Sequence, residues 1–247
     1  MGILNVTPDS FSDGGKYYGK RALEHAFDMI DQGADIIDVG GESTRPGSNP
    51  ISAEEELSRV IPILKDLIPS ISTPISIDTM KTEVAQAALN IGVSMVNDTN
   101  ALRSDGMLEL VASYNVPCVI VHMKGTPKTM QSNPATSICE VTNFLKKRKE
   151  VARNAGIQNI ILDPGIGFGK TPKLNMEIID NICHLPTENP ILVGVSRKKF
   201  LSQFYPNIDI DDATAQVSMK AINNGASMVR VHNVKRMIEE IRRHPSP

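Results

Sequence analysis

The stretch Met1-Gly-Ile-Leu-Asn5-Val-Thr-Pro-Asp9-Ser-Phe11-Ser-Asp13-Gly-Gly15 reads as an apolar strand that breaks at once into a polar, glycine-ended loop. A short run of Ile, Leu and Val followed by Asn, Thr, Pro, Asp and Gly is a buried strand feeding a surface loop, the kind of segment that carries function. An open, doubly wound sheet places G-x-G-x-x-G after its first strand, and neither Gly14-Gly15 nor Gly40-Gly41 has that spacing. The first strand therefore points to the other parallel architecture, a closed (β/α)8 barrel.

Outward from that stretch, β-branched apolar runs recur near Ile3, Ile36-Ile37, Ile75-Ile77, Met95-Val96, Val119-Val121, Ile160-Leu162, Ile191-Val195 and Met228-Val231. Their spacing averages about 32 residues, the size of a βα unit in a barrel of this length. Segments of helical period lie between them. Leu57, Ile61, Leu64 and Ile68 form one face behind the capping box Ser52-Ala-Glu-Glu55. Val141, Phe144, Leu145 and Val151 form another, followed by Ile178, Ile179, Ile182 and Leu185, and by Val234, Met237, Ile238 and Ile241. With no linker or low-complexity segment, residues 1–247 are expected to form a single α/β domain, a TIM barrel with its site at the C-terminal ends of the strands.

Composition narrows the partner. The chain is 40% hydrophobic and 22% charged with a formal charge of -2, which gives no reason to expect a nucleic-acid or membrane surface and favours a small-molecule substrate. Cys118, Cys139 and Cys183 are odd in number and far apart, which suits neither a disulfide framework nor a zinc site. There is no apolar run of membrane-spanning length and no secretory signal, so the expected compartment is the reducing cytoplasm.

Every strand run ends on polar residues. They are Asn5, Asp38 with Gly40 to Gly47 behind it, Asp78, Asn97-Asp98, His122, Asp163, Ser196-Arg197-Lys198-Lys199 and Arg230-Val231-His232. Any one of these is compatible with a helix cap, and Thr79 and Asn233 are placed for that. Eight together converge on one cavity mouth. Lys198, Arg230 and His232 follow strands seven and eight, where barrels often bind phosphate, while Asp78, Asn97 and Asp163 offer acceptors to a flat, nitrogen-rich ring. A heterocycle bearing phosphate fits both, and Asn5 with phosphate oxygens could complete a magnesium site.

In this order the motifs resemble the dihydropteroate synthase family. MGILNVTPDSFSDGG at 1–15, GADIIDVGGESTRPG at 33–47, SIDT at 76–79, VND at 96–98, HMKGTPKTMQ at 122–131, LDPGIGFGK at 162–170, SRK at 196–198 and RVH at 230–232 span essentially the whole chain. The resemblance implies a cytoplasmic, homodimeric, magnesium-dependent TIM-barrel transferase of folate biosynthesis, a sulfonamide target. Such an enzyme joins (7,8-dihydropterin-6-yl)methyl diphosphate to 4-aminobenzoate and releases diphosphate.

By position, the resemblance implies pterin binding by Asp163, Asn97, Lys198 and Phe168, with Asp78 beneath the reacting methylene. It implies diphosphate and Mg2+ at Asn5, Arg230 and His232, with Asn5 the metal ligand, and catalytic roles for Asp78, Lys198, Arg230 and His232. Thr44, Arg45, Pro46, Ser196 and Lys199, with Asp9 and Phe11 of the first loop, would form the aminobenzoate side and its lids. His122 is expected to give a supporting hydrogen bond.

Three departures stand out. Lys199 replaces the usual Ser, so it is either a carboxylate partner or a solvated lysine. Thr99-Asn100-Ala101 is less glycine-rich than usual. The strand starting at residue 1 leaves an expectation of natural sequence upstream, or of a piece cut from a longer folate-synthesis chain. Two alternatives stay open here: a pterin-dependent methyltransferase domain, and a non-catalytic pterin-binding paralogue.

Overall fold

A computed structural model of the chain describes residues 1–7 and 18–244. The strands are β1 (Gly2–Asn5), β2 (Ile37–Gly40), β3 (Ile75–Asp78), β4 (Met95–Asp98), β5 (Cys118–Val121), β6 (Ile160–Asp163), β7 (Leu192–Val193) and β8 (Met228–Val229). All pair in parallel, β1 to β6 in sequence order and β7 with β8. Single bridges, Leu162 to Ile191 and Gly2 to Val231, join the two sets and close the barrel. The last two strands are shorter than their apolar runs, because the chain leaves the ladder at Gly194 and at Arg230.

The helices are α1 (Tyr18–Asp31), α2 (Ala53–Leu67), α3 (Thr82–Asn90), α4 (Met107–Tyr114), α5 (Ile138–Asn154), α6 (Pro172–Asp180), α7 (Leu201–Phe204), α8 (Ile210–Asn223) and α9 (Val234–Arg243). Side-chain caps explain several starts. Ser52 Oγ accepts from Glu55 N at 3.2 Å, Ser137 Oγ from Glu140 N at 3.3 Å, Thr171 Oγ1 from Leu174 N at 3.1 Å and Asn233 Oδ1 from Arg236 N at 3.0 Å. Thr79 corrects the expectation: its hydroxyl accepts from Lys81 N at 3.2 Å, so it closes the turn before α3 and Lys81 takes the cap position. The apolar period through Leu185 is also broken, since α6 ends at Asp180 and a separate short 3-10 turn covers Ile182–His184.

Strand alternation sorts the core into two layers. Leu4, Ile37, Val39, Ile77, Ile120, Leu162 and Val193 pack outward with the helices, while Met1, Met95, Val119, Val121, Ile161 and Leu192 form a separate cluster inside the barrel. Counting by two along each strand from that inner cluster leads to Asn5, Asn97 and Asp163, and the register pairs Asp78 with Asn97 and Val121 with Asp163. The inner face is apolar at the bottom and polar at the top. Among the described residues, no helix is long and apolar enough to cross a membrane.

Candidate functional site

Arg230, projecting inward from just past β8, is the centre of the polar mouth. Its Nε donates to Asp38 Oδ2 at 2.5 Å and its Nη2 to Asp78 Oδ2 at 2.6 Å. Asn97 Nδ2 donates to the same Asp38 oxygen at 3.0 Å. Three strands are thereby tied to the eighth by one guanidinium and one fully buried carboxylate. Asp38 Oδ1, Asp78 Oδ1 and Asn97 Oδ1 are buried and have no hydrogen-bond partner. Buried acceptors without partners are costly, so three in one mouth mark where a ligand's N–H groups belong.

Electrostatics follow from that crowding. Burial, with the negative charge of Asp38 adding to it, raises the Asp78 carboxyl to about 7 against the pull of Arg230. Burial also raises Asp163, whose Oδ1 accepts from Gly165 N at 2.6 Å. Lys198 is brought down to about 8 by burial, Arg230 adding to that and Asp163 opposing it. Its ammonium bonds the Ile166 carbonyl and lies 4.5 Å from the centre of the Phe168 ring, a cation–π contact. Asp163, Phe168 and Lys198 thus share one side of the mouth.

On the other side, Asn5 Nδ2 lies 3.4 Å from His232 Nε2, and His232 Nδ1 lies 2.8 Å from Ser196 Oγ. An amide nitrogen can only donate, so Nε2 accepts and Nδ1 carries the proton toward Ser196. Ser196 Oγ also accepts from His232 N at 3.1 Å. Burial, then the charges of Arg197, Arg230 and Arg45, push His232 down to about 4. Before an anion arrives the ring is therefore held neutral at pH 7, and Arg230 carries the fixed charge.

The segment Gly165 to Lys170 after β6 is held by the buried Lys170. Its Nζ lies 2.7 Å from His122 Nδ1 and donates to Gly165 O at 2.8 Å, Phe168 O at 3.1 Å and His122 O at 3.3 Å. Gly165 has φ +65°, and a Cβ there would stand 1.9 Å from the His122 carbonyl oxygen, so the turn requires glycine. Burial, reinforced by Lys170, lowers His122 to about 3. The ring is neutral, and its contact with Lys170 is the supporting hydrogen bond that the sequence suggested. Lys170 had no assigned role, although a lysine closing a run of three alternating glycines was its signal.

The loop after β2 is anchored at its base. Lys81 Nζ bonds Glu42 and, at 2.5 Å, the buried Glu56, and Arg59 Nη1 donates to Gly41 O at 2.7 Å. Beyond that base Thr44 is half-buried and Arg45 and Pro46 are exposed, with Gly47 N donating to Pro127 O at 2.9 Å across to the loop after β5. Arg197, a non-glycine residue at φ +56°, is pinned by Asp211 at 2.7 and 2.9 Å and by Thr214. It separates Ser196, which faces His232, from Lys198. Lys199 is exposed. Asp9 and Phe11, with nearly all of the first loop, lie outside the described residues.

The structure thus brings together Asn5, Asp78, Asn97, Asp163, Phe168, Ser196, Lys198, Arg230 and His232, and gives Asp38, read from the sequence only as a polar strand residue, its partners Asn97 and Arg230. The model for the family described as pterin binding enzyme matches residues 1–232. The dihydropteroate synthase of Clostridium beijerinckii is 43% identical over 95% of this chain and 88% of its own length. A Xanthomonas albilineans dihydropteroate synthase with 4-aminobenzoic acid superposes with a TM-score of 0.92 at 37% identity, covering 100% of this chain and 93% of that one. The same species' enzyme in complex with 7,8-dihydropteroate gives 0.86 at 35% identity, covering 100% and 94%. On this identity, coverage and shared architecture, the chain belongs to the pterin-binding enzymes and, within them, to the dihydropteroate synthases.

Proposed function

We infer that the chain condenses (7,8-dihydropterin-6-yl)methyl diphosphate with 4-aminobenzoate to give 7,8-dihydropteroate and diphosphate, a transferase step of folate biosynthesis. The observation that carries this reading is the Arg230–Asp38–Asp78–Asn97 cluster. It sets three partnerless acceptors beside a fixed guanidinium, as a ring rich in N–H groups with a diphosphate attached requires.

Asn97, Asp163 and Lys198 hold the pterin by its edge, and Phe168 packs against a ring. A carboxylate engages an amidine-like pair of donors at two points, which suits Asp163, and the Lys198 ammonium suits a ring carbonyl. Arg230 and His232 take the diphosphate. The bond from the methylene carbon to oxygen breaks with its electron pair going to diphosphate, and Arg230 stabilises the developing charge. The electron-rich pterin carries the resulting cation, and the ionised Asp78 stabilises it. The arylamine, already a free nucleophile, then bonds that carbon and sheds a proton.

Asn5 fits a magnesium ligand: its amide nitrogen is engaged by His232, which leaves its oxygen as the end suited to a hard cation. Among the described residues, no group of three His, Cys, Asp or Glu could hold a metal, so the ion would rest on Asn5, diphosphate oxygens and water. When bound it would neutralise charge on the leaving group. The aminobenzoate side is formed by Thr44, Arg45, Pro46 and Ser196, with the first loop, Asp9 and Phe11 included, closing over it to exclude water. Lys199 acts there as a solvated lysine. Homodimer assembly rests on the family resemblance alone, and a reducing cytoplasm on the three free cysteines.

The test supplies both substrates with Mg2+ and measures diphosphate and dihydropteroate. One of each is expected per turnover, and neither when one substrate is omitted; no diphosphate above background would overturn the reading.

A further inference from the structure

Asp38 offers Oδ1 to the ring, while its other oxygen lies fully buried between the side chains that hold the pterin and the diphosphate. That oxygen, Oδ2, accepts from Asn97 Nδ2 at 3.0 Å and from Arg230 Nε at 2.5 Å. Its other oxygen has no partner. An Asn amide can present either end to a ligand. Because Asp38 takes the nitrogen end of Asn97, the carbonyl oxygen is the end left for a ligand, and it too is buried without a partner. Asp38 therefore selects what Asn97 recognises: a ring N–H.

The same oxygen fixes the guanidinium. With Nε on Asp38 and one Nη2 hydrogen on Asp78, the two hydrogens of Nη1 and the second of Nη2 are what Arg230 can offer an anion. An anion that draws the guanidinium toward itself loosens the bond to Asp38 and leaves Oδ2 to Asn97. A carboxylate oxygen shared less strongly polarises the amide that remains on it, and a polarised amide presents a better acceptor at its far end. Filling the diphosphate side then improves the pterin side without any direct contact between the two ligands.

We propose that Asp38 is a positioning residue that couples the pterin-recognising amide of Asn97 to the diphosphate-recognising guanidinium of Arg230. The inference rests on the reading of the mouth as a pterin and diphosphate site. Its consequence is positive coupling. Inorganic diphosphate should raise the affinity for a pterin that carries no diphosphate, and by reciprocity the pterin should raise the affinity for diphosphate by the same factor.

The experiment is calorimetry of the folded protein with 6-methyl-7,8-dihydropterin, with and without saturating inorganic diphosphate and Mg2+. The unmodified chain should bind the pterin at least about fivefold tighter with diphosphate present, the low end of ordinary coupling between sites. Asp38→Asn keeps the shape but cannot accept strongly from both partners, so the ratio should fall to about one. Asp38→Ser, smaller and uncharged, should do the same, and thermal melting confirms that each variant is folded.

A general loss of packing would weaken pterin binding equally with and without diphosphate and leave the ratio unchanged. An unchanged ratio in a folded variant, or no coupling in the unmodified chain, overturns the proposal. Failure of the unmodified chain to bind the pterin under either condition would instead overturn the functional reading beneath it.

Discussion

Arg230 Nη2 reaches across the barrel mouth from just past β8 to hold Asp78 Oδ2 of β3 at 2.6 Å. The pair makes the charge of Asp78 conditional, because burial and Asp38 raise its carboxyl to about 7 while Arg230 pulls the other way. A protonated Asp78 cannot stabilise a cation. Below the fall expected above about 8, where the Lys198 ammonium loses its proton, kcat/KM for the pterin substrate should therefore show an acid limb that rises with pH through about 7. In Asp78→Asn that limb should vanish, with kcat lower by roughly 10²–10³-fold and pterin affinity changed far less. Steady-state profiles of both proteins, with a binding titration, check this.

His232 leads to a second pH effect of opposite sign. Burial and three arginines hold it near 4, so it is neutral at pH 7 until an anion binds beside it. Bound diphosphate offsets those arginine charges and raises the ring's proton affinity, so binding should take up a proton as pH falls. Diphosphate affinity should grow between about pH 7.5 and 5.5 by a few-fold more in the unmodified chain than in His232→Gln. Comparing the two proteins removes the titration of diphosphate itself.

Lys170 is buried with its Nζ facing three carbonyl oxygens and His122 Nδ1, and burial lowers it to about 7. Lys170→Met would leave those acceptors without partners at a cost of about 2–4 kcal/mol. In a chain of this size that is a fall in Tm of roughly 5–12 °C. Phe168 and Lys198 depend on the same segment, so KM for the pterin substrate should also rise. Thermal melting and initial rates measure the two effects separately.

Lys199 stands where the family commonly has Ser, and its side chain is exposed. A solvated, flexible ammonium contributes little to holding a carboxylate. Lys199→Ala should raise KM for 4-aminobenzoate by less than about fivefold, within the range of an exposed ion pair. A larger rise would give Lys199 a direct contact.

Much of this site was legible because strand period fixes side-chain direction. Asn5, Asp78, Asn97 and Asp163 each follow an apolar run by a step that alternation sends inward, and Arg230 and His232 are two residues apart. Asp38 obeys the same rule and was read among the polar strand ends, but it stands two residues before the end of β2 and carried no assigned partner. Only the register, which aligns Asp38 with Ser76 beside the Asp78–Asn97 row, shows what it touches. The neutrality of His232 was not legible either, since it comes from burial and from Arg45 and Arg197, charges on two other loops. Thr79 misled for a local reason: a hydroxyl two residues before a backbone N–H closes a turn as readily as it caps a helix.

The central claim is that this mouth separates diphosphate from the pterin methylene before the amine arrives. Exchange of 32P-labelled inorganic diphosphate into the pterin diphosphate, with Mg2+ present and 4-aminobenzoate withheld, tests it most directly. Exchange is expected without the amine and is expected to be lost in Asp78→Asn. Exchange that requires 4-aminobenzoate, in a chain that otherwise turns over, would contradict it.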